Sequence, residues 1–120
     1  MLRRLLPLLI LAAPAQAQDW ALRPGDEVMT EAQIADLLVG RTITFYDDGQ
    51  SRFSPGGSYS YTYSAANGGG SQFGTFEPVG DGVICIAYRN GFSRCDRYVL
   101  AGGERLTVLT EDGGRFPVRP

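Results

Sequence analysis

Two hydrophobic periods divide the chain. Between Thr30 and Gly40 the apolar residues Ile34, Leu37 and Leu38 fall at i, i+3 and i+4, the spacing that lines one face of a helix. Thr30 and Gln33 stand in the S/T-x-x-E/Q relation of a capping box, and Glu31 suits the positive end of the helix dipole. Gly40 falls where a C-terminal cap belongs, so the pattern predicts a helix over 30–40. A helix of about ten residues does not persist alone in water, so this one is expected to pack, closing one end of a sheet or barrel. From Arg41 onward the period drops to two and clusters of Gly, Asp, Asn and Pro recur at short intervals. That change predicts strands at 42–46, 50–53, 58–64, 72–77, 83–88, 92–100, 105–110 and 115–118. Short strands joined by tight turns favour antiparallel neighbours. The expected fold is mainly β: a small up-and-down meander of about eight strands, either a barrel or a strongly bent sheet, with one N-terminal capped helix. Pro78 and Pro117 lack a donor for the ladder and belong at strand ends or edges.

The stretch from Gly82 to Leu100 constrains itself. Asn90-Gly91 is a strong turn signal because both residues tolerate positive φ. A two-residue loop would pair Cys85 with Asp96 and set the two cysteines on opposite faces of the ribbon. A three-residue Arg89-Asn90-Gly91 loop, with Gly91 left-handed, pairs Tyr88 with Phe92, Ile86 with Arg94 and Cys85 with Cys95. The cysteines then occupy a non-hydrogen-bonded pair, where Cα atoms lie about 4.5 Å apart and a disulfide fits. The cysteines therefore select the three-residue loop.

The first residues follow a different logic. Met1 to Arg4 form a basic head, Leu5 to Ala13 an apolar run, and Ala15-Gln16-Ala17 an A-x-A cleavage signal, so 1–17 reads as a secretory signal peptide cut after Ala17. The apolar run falls well short of the ~20 residues that span a bilayer, leaving no transmembrane segment in the mature chain. Residues 18–29 carry Pro24-Gly25 and no period; they read as an arm or linker, with Trp20 and Leu22 as its anchors. Residues 30–120 form the single domain. Export to the periplasm or beyond makes one disulfide the natural use of two cysteines.

Composition narrows the chemistry. All basic residues are arginine, and 13 acidic residues outnumber the 11 basic ones, which argues against a nucleic-acid partner. Histidine is absent, which removes the commonest general base and metal ligand and every Ser-His or Cys-His arrangement. No glycine-rich phosphate loop precedes a helix, and no Asp/Asn spacing suits a calcium loop. No cofactor or metal is expected. Catalysis would rest on carboxylate pairs such as Asp47-Asp48 or Glu111-Asp112, both in turns that face water.

Two features suggest binding. Tyr59, Tyr61 and Tyr63 alternate along one strand and so share a face, with Tyr46 upstream. They form either part of the core or an aromatic surface for a sugar, an aromatic molecule or a partner strand. Arg94 shares a face with Ile84, Ile86, Tyr88, Phe92 and Tyr98. A charge there needs a partner or a wet cavity, and it is a candidate for meeting an anionic ligand inside a barrel. The candidate ligand-binding residues are therefore Tyr46, Tyr59, Tyr61, Tyr63 and Arg94. The expected function is a non-catalytic exported protein binding a small ligand or a cell-envelope component. The alternatives are a structural or inhibitory protein-binding module and, behind it, a carboxylate-based enzyme.

Gly74-Thr75-Phe76 has the glycine-then-aromatic step found where a barrel strand bends sharply. Together with Leu37-Leu38-Val39-Gly40 closing the capped helix, Tyr46-x-x-Gly49 and the Cys85…Cys95 pair, it resembles small exported alphaproteobacterial proteins of unknown function. The resemblance implies a lipocalin-like fold and assigns no residue a role.

Overall fold

The structure is a computed structural model that describes residues 20–120; the expected signal peptide lies outside the described residues. In order, the chain forms β1 (Asp26–Val28), α1 (Glu31–Leu37), β2 (Arg41–Thr44), β3 (Gln50–Phe53), β4 (Ser58–Thr62), a 3-10 turn (Ala65–Asn67), β5 (Ser71–Gly80), β6 (Val83–Tyr88), β7 (Ser93–Ala101), β8 (Arg105–Leu109) and β9 (Arg115–Pro117). Strands β2 to β9 pair in sequence order, each antiparallel to the next. The sheet curls into a half-barrel until its two edges touch: the Arg119 N–H donates to the Thr44 carbonyl at 2.8 Å, and Phe45 bridges Val118.

Three hairpins share one construction, which sets the register of the meander. In each, a residue of positive φ closes a three-residue loop: Asp48 (φ 72°), Gly91 (φ 92°) and Gly113 (φ 93°). The flanking N–H bonds run from Phe45 to Gly49 (2.8 Å), Tyr88 to Phe92 (2.8 Å) and Thr110 to Gly114 (3.0 Å). The middle one is the Arg89-Asn90-Gly91 loop required by the cysteines, and Cys85 and Cys95 are bonded across directly paired positions with Cα atoms 4.0 Å apart. The glycine of Gly74-Thr75-Phe76 is required by a close approach: a Cβ there would overlap the Ala87 carbonyl oxygen of β6. Pro78 lies where β5 has run beyond the end of β4 and its register to β6 slips by a bulge.

The helix starts as its N-terminal cap dictates but ends at Leu37, with Leu38 as its C-cap. Gly40, expected to cap it, instead donates its N–H to the Phe53 carbonyl at 2.6 Å. The Thr30 hydroxyl accepts from the Gln33 N–H (3.1 Å) and the Gln33 side chain accepts from the Thr30 N–H (3.0 Å). Ile34 and Leu38 are buried with Met29, Phe53 and Tyr98 and plug one end of the half-barrel, while Leu37, expected on the same stripe, is 38 % exposed. Phe53 is the centre of this packing, with its ring 5.2 Å from Tyr59, 5.1 Å from Phe76 and 6.0 Å from Tyr98.

The arm corrects the sequence reading. Asp26–Val28 is a strand, pairing with Val99–Ala101 of β7. It sits where β6, which pairs β7 only as far as Arg97, leaves that edge uncovered. Three residues are too few to show a period, and the edge that recruits them is distant in sequence. Met29 anchors the segment, wholly buried, whereas Leu22 is exposed. Arg115 adds a forked clamp, donating to both Asp26 carboxylate oxygens at 2.7 and 3.1 Å and to the Ala21 carbonyl at 3.0 Å. That guanidinium holds the Asp26 carboxyl below its usual range.

Candidate functional site

Opposite the helix, the half-barrel opens into a cup of about 360 Å³. Because the strands alternate, residues two apart along β4, β7 and β8 project into one interior. Tyr61, Arg94, Asp96 and Val108 come from these strands, Phe45, Tyr46 and Asp47 from the β2–β3 hairpin, and Phe116 from β9. The lining is mainly apolar, with the charged groups gathered in the wall formed by β7 and at the β2–β3 rim.

Arg94 and Asp96 form that polar wall. The Arg94 Nε donates to Asp96 Oδ2 at 3.1 Å, with the aspartate side chain 2 % exposed and the arginine side chain 36 %. Burial pushes the Asp96 carboxyl up and the neighbouring guanidinium offsets part of that rise. Asp96 thus lies beneath Arg94, out of solvent's reach, and holds it in place. The bond engages one of five guanidinium N–H groups. The guanidinium also lies over the Tyr88 ring, 5.8 Å from its centroid.

The tyrosines divide along the strand. Tyr59 is core: it is buried, hydrogen-bonded to the buried Ser51 hydroxyl at 2.8 Å, and burial drives its phenol far above the usual range. Tyr61, two residues nearer the mouth, is half-buried and lines the cup. Burial, then the Asp47 carboxylate, raises its phenol. Tyr63 is 42 % exposed outside the lining and packs edge-on against Tyr61 with centroids 4.9 Å apart. Tyr46 reaches the rim, where Arg119 lies 5.8 Å above its ring. Of the five candidates, Tyr46, Tyr61 and Arg94 meet at one cup; Tyr59 supports it from below and Tyr63 from the side.

Two participants escaped the sequence reading. Asp96 shares a face with Arg94, and the Arg-x-Asp spacing carries that information, since side chains alternate. Ser51, the buried partner of Tyr59, has no such signal. The turn carboxylates serve the turns instead: Asp47 accepts from the Gly49 N–H (2.8 Å), Asp48 pairs with Arg119 (2.7 Å), and Asp112 accepts from the Thr110 hydroxyl and the Gly114 N–H. Among the described residues, no group of three or more acidic or cysteine side chains gathers as a metal site.

Gly49 positions Tyr61. It is buried, and a Cβ at this position would overlap the Tyr61 hydroxyl and come within 2.9 Å of its Cζ. Gly49→Ala is expected to swing the ring out of place at a cost of about 1–3 kcal/mol while the fold survives. Native-like circular dichroism with shifted Tyr61 ring resonances would meet this expectation, whereas unmoved resonances would contradict it.

Compared with protein-family models, curated proteins and solved structures, the chain matches none.

Proposed function

We propose that this chain is a non-catalytic, exported, lipocalin-like binding protein whose cup takes a small carboxylate with an aromatic or short apolar body. The observation that carries the reading is one arginine in a mainly apolar cup, buttressed from below by a buried aspartate. A volume of about 360 Å³ lies within the range of small-molecule sites. Arg94 offers a planar fork suited to a carboxylate, and the rings of Phe45, Tyr61 and Phe116 offer apolar surface to the body of the ligand. Binding is favoured over carboxylate catalysis because a general acid or base must reach the substrate. Asp96 is 1 % exposed beneath its arginine, which leaves Asp47 at the rim without a second accessible carboxylate in the lining to work with. The disulfide supports an oxidising compartment, consistent with export.

The test uses benzoate and its uncharged analogue benzamide in ligand-observed NMR titrations. Benzoate is expected to bind better than benzamide, and Arg94→Lys, which keeps a cation beside Asp96 but loses the fork, should weaken benzoate about tenfold. Tyr61→Ala should weaken both. Equal binding of the two probes, or no effect of Arg94→Lys, would refute the reading. Native mass spectrometry of the protein from its own periplasm would then identify the physiological ligand.

A further inference from the structure

The cup carries charge at two places. In its β7 wall Arg94 is paired with Asp96, and at its β2–β3 rim stands Asp47. Among the described residues, the lining therefore sets one arginine against two aspartates. Arg119, above the rim, pairs with Asp48 and leaves that balance as it is. A bare carboxylate held by Arg94 would add a further negative charge to a lining in which acid already outnumbers base. A cation on the same ligand would cancel it.

Asp47 is placed to receive that cation. Its Oδ1 accepts from the Gly49 N–H at 2.8 Å, which fixes the carboxylate on the turn, and Asn67 approaches Oδ2 only at 3.5 Å. A Cβ on Gly49 would meet both the Tyr61 hydroxyl and, at 3.0 Å, Asp47 Oδ1, so the two oxygens converge on one spot. Beyond burial, the main cause of its rise, the Tyr61 phenol feels both charged places: Asp47 raises it and Arg94 lowers it. The rings of Phe45, Tyr46 and Phe116 line the same cup and offer π faces to a cation. The neighbouring rim already holds a cation in this way. There the Arg119 guanidinium lies 5.8 Å above the Tyr46 ring and 2.7 Å from Asp48.

The two charged places stand apart. Arg94 belongs to β7 and Asp47 to the turn between β2 and β3; β4 to β6 separate them on one side, β8 and β9 on the other. We infer that Asp47, with the rings beside it, is a second pole of the cup that binds an ammonium group, so that the ligand is an amino carboxylate whose two charges are separated by its apolar body. Arg94 takes the carboxylate, and Asp47 with the Tyr61 hydroxyl takes the ammonium. An α-amino acid carries both charges on one carbon and reaches one pole at a time. This inference deepens the proposed function and rests on it for the carboxylate.

The experiment compares four probes in ligand-observed NMR titrations at low salt: para-aminomethylbenzoate, para-methylbenzoate, para-methylbenzylamine and phenylglycine. The first carries both charges across a ring, the next two carry one each, and phenylglycine carries both on one carbon. Para-aminomethylbenzoate should bind about five- to tenfold more tightly than each of the others. Asp47→Asn keeps the acceptor for the Gly49 N–H and removes the charge. It should weaken para-aminomethylbenzoate about five- to tenfold and strengthen para-methylbenzoate, which then meets one negative charge fewer. If that variant fails to fold, the four probes on the unaltered chain decide. Equal binding of para-aminomethylbenzoate and para-methylbenzoate would overturn the inference and leave the carboxylate reading standing. Phenylglycine binding as tightly as para-aminomethylbenzoate, or Asp47→Asn weakening both benzoates alike, would also overturn it. Para-methylbenzylamine binding as tightly as para-aminomethylbenzoate would instead sink the carboxylate reading, and the amino carboxylate with it.

Discussion

Arg94→Met should destabilise the protein by roughly 2–3 kcal/mol at neutral pH, somewhat less than the roughly 3–5 kcal/mol of breaking a fully buried ion pair. The reduction reflects the partial exposure of the arginine, which lets water reach the vacated carboxylate. The loss comes from Asp96, left buried without its counter-charge. Its carboxyl is already raised by burial, and removing Arg94 raises it further. The sign of the pH dependence follows. Between the ordinary carboxyl value of 3.8 and the raised value in the fold, the native state binds more protons than the unfolded chain. Stability contributed by this group is therefore greatest at low pH and lost as pH rises through the raised value. Urea unfolding of Arg94→Met should show a defect that shrinks on acidification. The double change Arg94→Met with Asp96→Leu should recover most of the stability at neutral pH, because no charge is then buried. If the single and double variants unfold alike, the pair is not what holds this wall of the cup.

Opening the disulfide should have a comparable effect by a different route. Cys85 and Cys95 are ten residues apart, and closing a loop of that length restricts the unfolded chain by roughly 2–3 kcal/mol. Replacing both with serine should lower Tm by roughly 10–20 °C for a domain of this size. The β6–β7 ladder also carries Ile84, Ile86, Arg94, Asp96 and Tyr98 into the interior. Loosening it should therefore disturb the cup as well as the stability, read as broadened Tyr88 and Tyr61 resonances at temperatures where the native protein is still folded. A variant with unchanged Tm would mean that the turn and core already define the hairpin without the staple.

Much of the fold was legible in the chain because it is local. Alternation marks the strands, the capping box starts the helix within one turn, and the hairpin register follows from two cysteines and one glycine. Even the pairing of Cys85 with Cys95 needed only a count along two neighbouring strands. Arg94 could be recognised as a charge on an apolar face for the same reason, and its partner Asp96, two residues on, was equally readable from that alternation.

What lay beyond the sequence depends on distant segments meeting. The period of β4 puts Tyr59, Tyr61 and Tyr63 on one face, and only the curl of the sheet makes the first core, the second cup wall and the third an exposed ring packed on the second. Asp26–Val28 becomes a strand because β6 stops short and exposes an edge of β7, and Arg115 clamps it from the far end of the chain. The two edges of the half-barrel meet because Val118 and Arg119 bond to β8 and β2 in turn. Alternation specifies which side of a strand a residue takes; how far a sheet bends, and hence what each side encloses, is decided by the closure of the whole.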